Sequence, residues 1–284
     1  MVYLSENYGI SDKYLYLENQ LFKNTDTIKQ IKIYPPQNGK CNIIIIYEIP
    51  DVETLPDNSN YLSIDLGLHN LMTCYNSVSG EAFIVGRKYL SICHYYNKEM
   101  ARVQSQWYYS QSKNGIKYPK TSKHIKRLQV KKNNTINDYL HKTTRYIVNY
   151  CKNNNINTVV IGDITNIRKD KNYGNITNQQ LHGLPYAKIY TMLGYKLVLE
   201  GINFVVQKEL YSSQCSPLAP EVSKKYAIKT NRKHRGLYVD NGYKWNADSV
   251  GAFNILRLYL KETKKLIELN AMDIKNPYIT KVAV

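Results

Sequence analysis

Cysteine is scarce and poorly placed in this chain. The five thiols, Cys41, Cys74, Cys93, Cys151 and Cys215, are odd in number, widely spaced and form no Cys-x-x-Cys pair. That spacing fits a reduced, cytoplasmic protein better than a disulfide framework. No run is apolar enough and long enough to span a membrane. The first residues, Met1-Val-Tyr-Leu-Ser-Glu-Asn7, lack the basic segment and apolar run of a signal peptide. There is no internal repeat. Acid is scarce wherever base is dense. Residues 86–150 hold 14 Lys and Arg against 2 acids, within a chain of 284 residues and net charge +17. Residues 1–60 run the other way, with 5 Lys and 8 acids. Positive charge concentrated in this way points to a polyanionic partner, with nucleic acid as the default. The tyrosines and charges are not sorted onto one amphipathic helix, so an anionic membrane surface is the poorer match.

Hydrophobic residues make up 43% of the chain, enough for one large or two small domains. Ile31–Tyr34 and Asn42–Tyr47 read as strands around a Pro35-Pro-Gln-Asn-Gly39 turn, and the Ile-rich second run reads as a core strand. Residues 50–60 resemble a linker. Tyr61–Leu66, Leu71–Tyr75 and Ala82–Val85 form an expected meander. After Gly86 the pattern turns helical. Leu90, Tyr95, Met100, Val103 and Trp107 share one face, and a break follows at Ser110–Thr121. Ile136, Leu140, Ile147 and Cys151 then mark a second helical stripe. The basic segment is therefore expected to be an inserted helical hairpin. Asn157–Ile161 reads as a buried parallel strand ending in Gly162-Asp163, Tyr186–Glu200 as a helix and Asn203–Gln207 as a strand. The order is that of a layered α/β fold.

Two acids stand out. Asp65 lies inside the apolar run Tyr61-Leu-Ser-Ile-Asp-Leu-Gly67, and Asp248 opens the helical Asp248-Ser-Val-Gly-Ala-Phe-Asn-Ile-Leu256. A carboxylate in a strand is costly to bury unless it is paired or binds a metal. Two such acids brought together would make a hard-cation site. Plainer readings stand beside this one. Asp65 suits a turn before Gly67, and Asp248 suits a helix N-cap. Glu209, alone, reads as a surface glutamate. Asp163 ends a strand where ligands collect in open α/β sheets. Asp-Leu-Gly after a strand also opens the phosphate hairpins of actin-like ATPases, but no other glycine loop for phosphate is present. Lys123, Lys126, Arg127, Lys131 and Lys132 form one basic cluster, and Arg232, Lys233 and Arg235 another. Phosphate contact is the preferred reading of both. Trp107, Tyr108, Tyr109 and Trp245 could stack on bases or serve packing.

Ile64-Asp-Leu-Gly-Leu-His-Asn70, Val159-Val-Ile-Gly-Asp163, Tyr211-Ser-Ser-Gln-Cys215, Arg232-Lys-His-Arg-Gly236 and Asn246-Ala-Asp-Ser-Val-Gly-Ala-Phe-Asn-Ile-Leu256 occur in this order. As a set they resemble landmarks of the TnpB/OrfB proteins of insertion sequences, relatives of the type V CRISPR effectors. The resemblance spans about residues 28–260. It implies an RNase H-like (RuvC) nuclease that is guided by RNA, acts on DNA, and depends on Mg²⁺ or, in its place, Mn²⁺. It makes Asp65 the first catalytic and metal-holding acid and Asp248 the last. The middle acid usually precedes the aspartate of the Val-Val-Ile strand, where this chain has Gly162. A variant branch carries that acid just before the Tyr-Ser-Ser segment, so the role falls to Glu209. The family's paired cysteines are reduced to Cys215, so 211–247 is expected to be a degenerate zinc ribbon without zinc. Residues 1–57 are expected to be a remnant of a truncated recognition lobe, and 58–284 the nuclease domain with its insertion at 86–150. The expected activity is hydrolysis of DNA phosphodiesters by a two-metal mechanism. The alternative is a truncated relative that binds RNA and DNA without cutting. Oligomeric state is left open.

Overall fold

The computed structural model describes residues 2–3, 14–15, 27–36, 41–165, 174, 183–234, 236–272 and 274–283. The chain divides into two compact units, Met1–Asp51 and Val52–Val284. In the first, β1 (Val2–Tyr3) pairs antiparallel with β2 (Tyr14–Leu15), and β3 (Ile28–Ile33) with β4 (Ile43–Tyr47). The Ile-rich β4 is not the core strand that its composition suggests. Ile44 and Ile46 are 45% and 39% exposed. A two-stranded ribbon offers no second layer in which to bury a β-branched face.

The second unit begins with β5 (Tyr61–Leu66), β6 (Met72–Asn76) and β7 (Ala82–Val85), an antiparallel meander as expected. The helical hairpin α1 (Tyr89–Lys113) and α2 (Lys123–Asn153) follows, then β8 (Thr158–Asp163), α3 (Tyr186–Val198) and β9 (Asn203–Lys208). A three-stranded sheet of β10 (Arg232–His234), β11 (Leu237–Asp240) and β12 (Tyr243–Asn246) leads into α4 (Ala247–Glu262), and β13 (Tyr278–Ile279) comes last. The main sheet has the order β13-β7-β6-β5-β8-β9, with β5, β8 and β9 mutually parallel and β13 parallel to β7. This is a mixed α/β sheet, with four α-helices among the described residues.

Strand alternation divides the unit into two cores. Leu62, Ile64, Val159 and Ile161 face α2 and α3, packing with Leu140, Ile147, Ile189 and Leu193. Tyr61, Val160 and Tyr75 face α4, packing with Val250, Phe253 and Leu256. On that second face Ser63 Oγ donates to the Ala252 carbonyl at 2.7 Å, anchoring α4 across the middle of β5. The α1 stripe differs from the expected one. Tyr89, Tyr96 and Val103 are buried, whereas Tyr95 is 65% exposed. Their seven-residue spacing follows the seam between two paired helices rather than the face of a helix lying on a sheet. The α2 stripe of Leu140, Ile147 and Cys151 is buried as expected. No helix among the described residues is long and apolar enough to cross a membrane.

The loop after β9 is pinned to α4 by Asn254, which is fully buried and whose Nδ2 donates to the carbonyls of Ser212 and Cys215 at 2.8 and 2.9 Å. Asn254→Ala would leave both carbonyls without this partner. The expected loss is about 2–4 kcal/mol, read by urea unfolding.

Candidate functional site

Asp65 is the fifth residue of β5 and shares the α4 face with Ser63 and Tyr61. Its carboxylate lies against α4 where Gly251 has no side chain. A Cβ at position 251 would sit 2.2 Å from Asp65 Oδ2. Gly162 follows Ile161, the register partner of Ile64, on β8 and points to the same face as Asp65. The Glu209 carboxylate occupies the space beside it, since a Cβ at 162 would fall 1.6 Å from Glu209 Oε1. Glu209 follows β9 by one residue, and the pairing Gly162↔Gln207 brings it alongside the end of β8. The missing side chain at 162 is thus the cavity that receives the glutamate.

Asp163 behaves differently. Alternation turns it to the opposite face from Gly162, and its Oδ1 accepts from the Thr165 amide at 2.9 Å, closing a local turn. It is not brought into the acid pocket.

Asp248 is not the N-cap that its position suggests. Asn246 takes that role, its Oδ1 accepting from the amides of Asp248 and Ser249 at 3.0 and 3.1 Å. The Asp248 side chain is free to face the pocket from the first turn of α4. Asn70 Nδ2 donates to Asp248 Oδ2 at 2.9 Å, and Arg232 holds Oδ1 at 3.2 Å. Arg232, expected only as a phosphate contact, therefore stands at the acids.

Asp65, Glu209, Asp248, Asn70, Arg232 and Ser212 are among the residues lining one pocket of roughly 510 Å³. Burial, and then the charges of Glu209 and Asp248, push the Asp65 carboxyl well above its ordinary range, with Arg232 partly offsetting them. Burial, and then the charge of Asp163, raise Glu209 to about 7. Glu209 Oε1 is buried and has no hydrogen-bond partner among the described residues. Among the described residues, no three His, Cys, Asp or Glu side chains already stand close enough to hold a metal ion. The three acids line one space, and there Asp248 is held by Asn70 and Arg232.

Tyr190 steadies this end of β8. Its hydroxyl accepts from the Ile164 amide at 3.1 Å and donates to the Gly162 carbonyl at 2.5 Å. No motif in the sequence signals this role, or the roles of Asn70 and Asn246.

The basic clusters separate. Lys123, Lys126, Arg127 and Lys131 are exposed on α2, while Lys132 reaches across to Asn97 on α1 at 2.7 Å. Lys233 is exposed on β10. Arg235 lies outside the described residues. Of the aromatic candidates, Trp245 is 1% exposed with Nε1 bonded to the Ala271 carbonyl, so it packs and cannot stack on a base. Trp107 Nε1 likewise holds the Lys120 carbonyl at the turn of the hairpin. Tyr108 and Tyr109 remain exposed. Cys215 is buried, and its thiol donates to the Ser223 carbonyl.

A family profile described as a probable transposase, OrfB_IS605, matches residues 44–168. A second, described as a Cas12f1-like TNB domain, matches residues 186–255. Between them they take in Asp65, Glu209 and Asp248 in order. Both matches are to proteins of the TnpB-like kind, an OrfB-type transposase and a Cas12f1-like domain, and the chain is similar to them over those stretches. Among solved structures, the cryo-EM structure of a Cas12f1–sgRNA–target DNA complex is 18% identical at a TM-score of 0.50, covering 79% of this chain and 55% of that one. A CRISPR-Cas12f ternary complex is 19% identical at 0.49, covering 79% and 44%. The likeness to the first is one of fold. The chain spans about half the length of the structures it matches. No curated protein matches the chain.

The geometry at Gly162 yields a thermodynamic cycle. Gly162→Ala is expected to destabilise the protein by displacing the glutamate, and to cost much less in a Glu209→Ala background. The coupling expected from urea unfolding is about 1–3 kcal/mol. The raised Glu209 pKa also fixes a sign. Between pH 4.5 and about 7 the folded state holds a proton that the unfolded state has released, so stability falls as pH rises through that window. Glu209→Gln should remove this part of the slope in chelator-treated protein.

Proposed function

We propose that this chain is an RNA-guided, Mg²⁺-dependent DNA endonuclease whose second unit is an RNase H-like (RuvC) nuclease domain. The observation that carries the reading is the Glu209 carboxylate lodged beside Gly162. It completes an acid set with Asp65 and Asp248 around one pocket. The donor set fits a hard divalent cation, because every candidate ligand is a carboxylate oxygen. Glu209 Oε1 is buried and unpartnered, and the like charges of Asp65 and Glu209 call for a positive charge between them. Asp65, Glu209 and Asp248 would hold Mg²⁺, or Mn²⁺ in its place.

Bound there, the metal would supply water activation and leaving-group stabilisation for hydrolysis of a DNA phosphodiester. The chain's own residues set up that chemistry. Asn70 orients Asp248 through Oδ2. Arg232, at the rim of the pocket, places a guanidinium where a phosphate would enter. The exposed lysines of the α1–α2 hairpin would grip the backbone of a guide–target duplex, leaving sequence to base pairing. The similar Cas12f1 structure is a complex with sgRNA and target DNA, and the match to a probable-transposase profile supports nucleic-acid partners of that kind here.

A non-cleaving relative that binds RNA and DNA is the second reading. It is favoured by the ion pair that Asp248 already makes with Arg232, while among the described residues no three side chains stand together to hold a metal. Cleavage of single-stranded and plasmid DNA by protein purified with its RNA separates the two. The nuclease reading expects cleavage that needs Mg²⁺, stops with chelator, and falls on the order of a thousandfold in Asp65→Ala and Glu209→Gln. Tight, salt-sensitive binding without cleavage would decide for the non-cleaving relative.

A further inference from the structure

On the face of the sheet opposite Asp65, α2, α3 and the C-terminal segment border an open groove of roughly 540 Å³. His141, Lys142, Arg145, Lys196 and Lys281 line it, and no carboxylate does. Lys196 is the unusual member, being only 4% exposed. Its Nζ donates to the His141 carbonyl at 2.9 Å and to Thr144 Oγ1 at 2.7 Å. An ammonium carries three protons, and the third has no oxygen or nitrogen acceptor among the described residues, only the Tyr195 ring with its centroid 5.9 Å from Nζ. Lys196 has no carboxylate partner there either. The nearby acids are engaged at the rim, Asp138 with Lys142 at 2.7 Å, and Glu200 with Arg145 at 3.4 Å and Lys152 at 2.6 Å.

A buried ammonium without a counter-ion is costly. Burial and the neighbouring Arg145 accordingly lower its pKa to about 8. A core built for stability alone would place an apolar residue here, since the surrounding positions on α3, Ile189, Leu193 and Leu197, are all apolar and buried. An anion entering the groove would accept the third proton and supply the missing charge. Arg145 and Lys281 would contact it from the rim, where Tyr146 and Tyr195 also line the groove.

We propose that this groove is a phosphate-binding site, separate from the acid pocket, with Lys196 as its buried anchor. The phosphate belongs either to a nucleic-acid backbone or to a free phosphorylated ligand, and the chemistry of recognition is the same. The proposal does not rest on the nuclease reading.

The test uses the full chain, with orthophosphate binding measured by equilibrium dialysis and binding of a short single-stranded oligonucleotide by anisotropy, both at constant ionic strength in chloride. Wild type should bind, and Lys196→Met should weaken binding by about thirtyfold or more. Arg145→Gln and Lys281→Gln, on the rim, should weaken it less and keep the test open should Lys196→Met fail to fold. Lys29→Gln, in the first unit, should leave orthophosphate binding unchanged. Loss of both probes in the groove variants identifies a backbone site, and loss of orthophosphate alone a site for a free phosphorylated ligand. No binding by wild type, or equal affinities across wild type and all groove variants, would overturn the proposal and leave Lys196 as a structural tie between α2 and α3.

Discussion

Bringing carboxylates of like charge to one end of a buried sheet is the constraint around which the second unit is organised. Asp65 and Glu209 are disfavoured by burial and again by neighbouring carboxylates, which raises the pKa of both. Room for them comes from what is missing. Gly251 lets α4 pass close over the Asp65 carboxylate, and Gly162 opens the volume that Glu209 fills. Any side chain at either position would expel an acid. The glycines here serve close approach rather than backbone freedom, since neither adopts a positive φ.

The polar residues around the pocket are explained by the same constraint. Asn246 takes over helix capping and so releases Asp248 to the pocket. Asn254 ties the loop after Glu209 to α4, and Tyr190 closes the end of β8. Arg232 offsets part of the negative charge from the β10 side. None of these side chains would be needed to stabilise a sheet and helix packed on apolar contacts alone.

The sheet also keeps two chemistries apart. Its α4 face carries the carboxylates, and its other face, covered by α2 and α3, carries the lysine-rich groove. Period-two alternation makes this possible. Asp65 and Ile64 are adjacent in sequence and on opposite sides of the layer, as are Gly162 and Asp163. That alternation removes Asp163 from the acid pocket, although it stands at a strand end where ligands often gather.

Much was legible along the chain. The strands Tyr61–Leu66 and Ala82–Val85 announced themselves through continuous apolar runs, and the hairpin through its charge and helical period, because local pattern largely decides local structure. The acids at 65 and 248 were conspicuous for the same reason: a carboxylate in an apolar run needs an explanation. What exposure Ile43–Tyr47 would have, which of Tyr95 and Tyr96 would be buried, and which residue would cap α4 depended on neighbours distant in sequence. The sequence by itself marked Asp65, Glu209 and Asp248 as the candidate acids, with Asp163 as a competitor. Only the tertiary structure decided that Glu209 and not Asp163 lines the pocket with Asp65, because strand register and the empty volume at Gly162 are properties of paired strands and cannot be read from either strand alone.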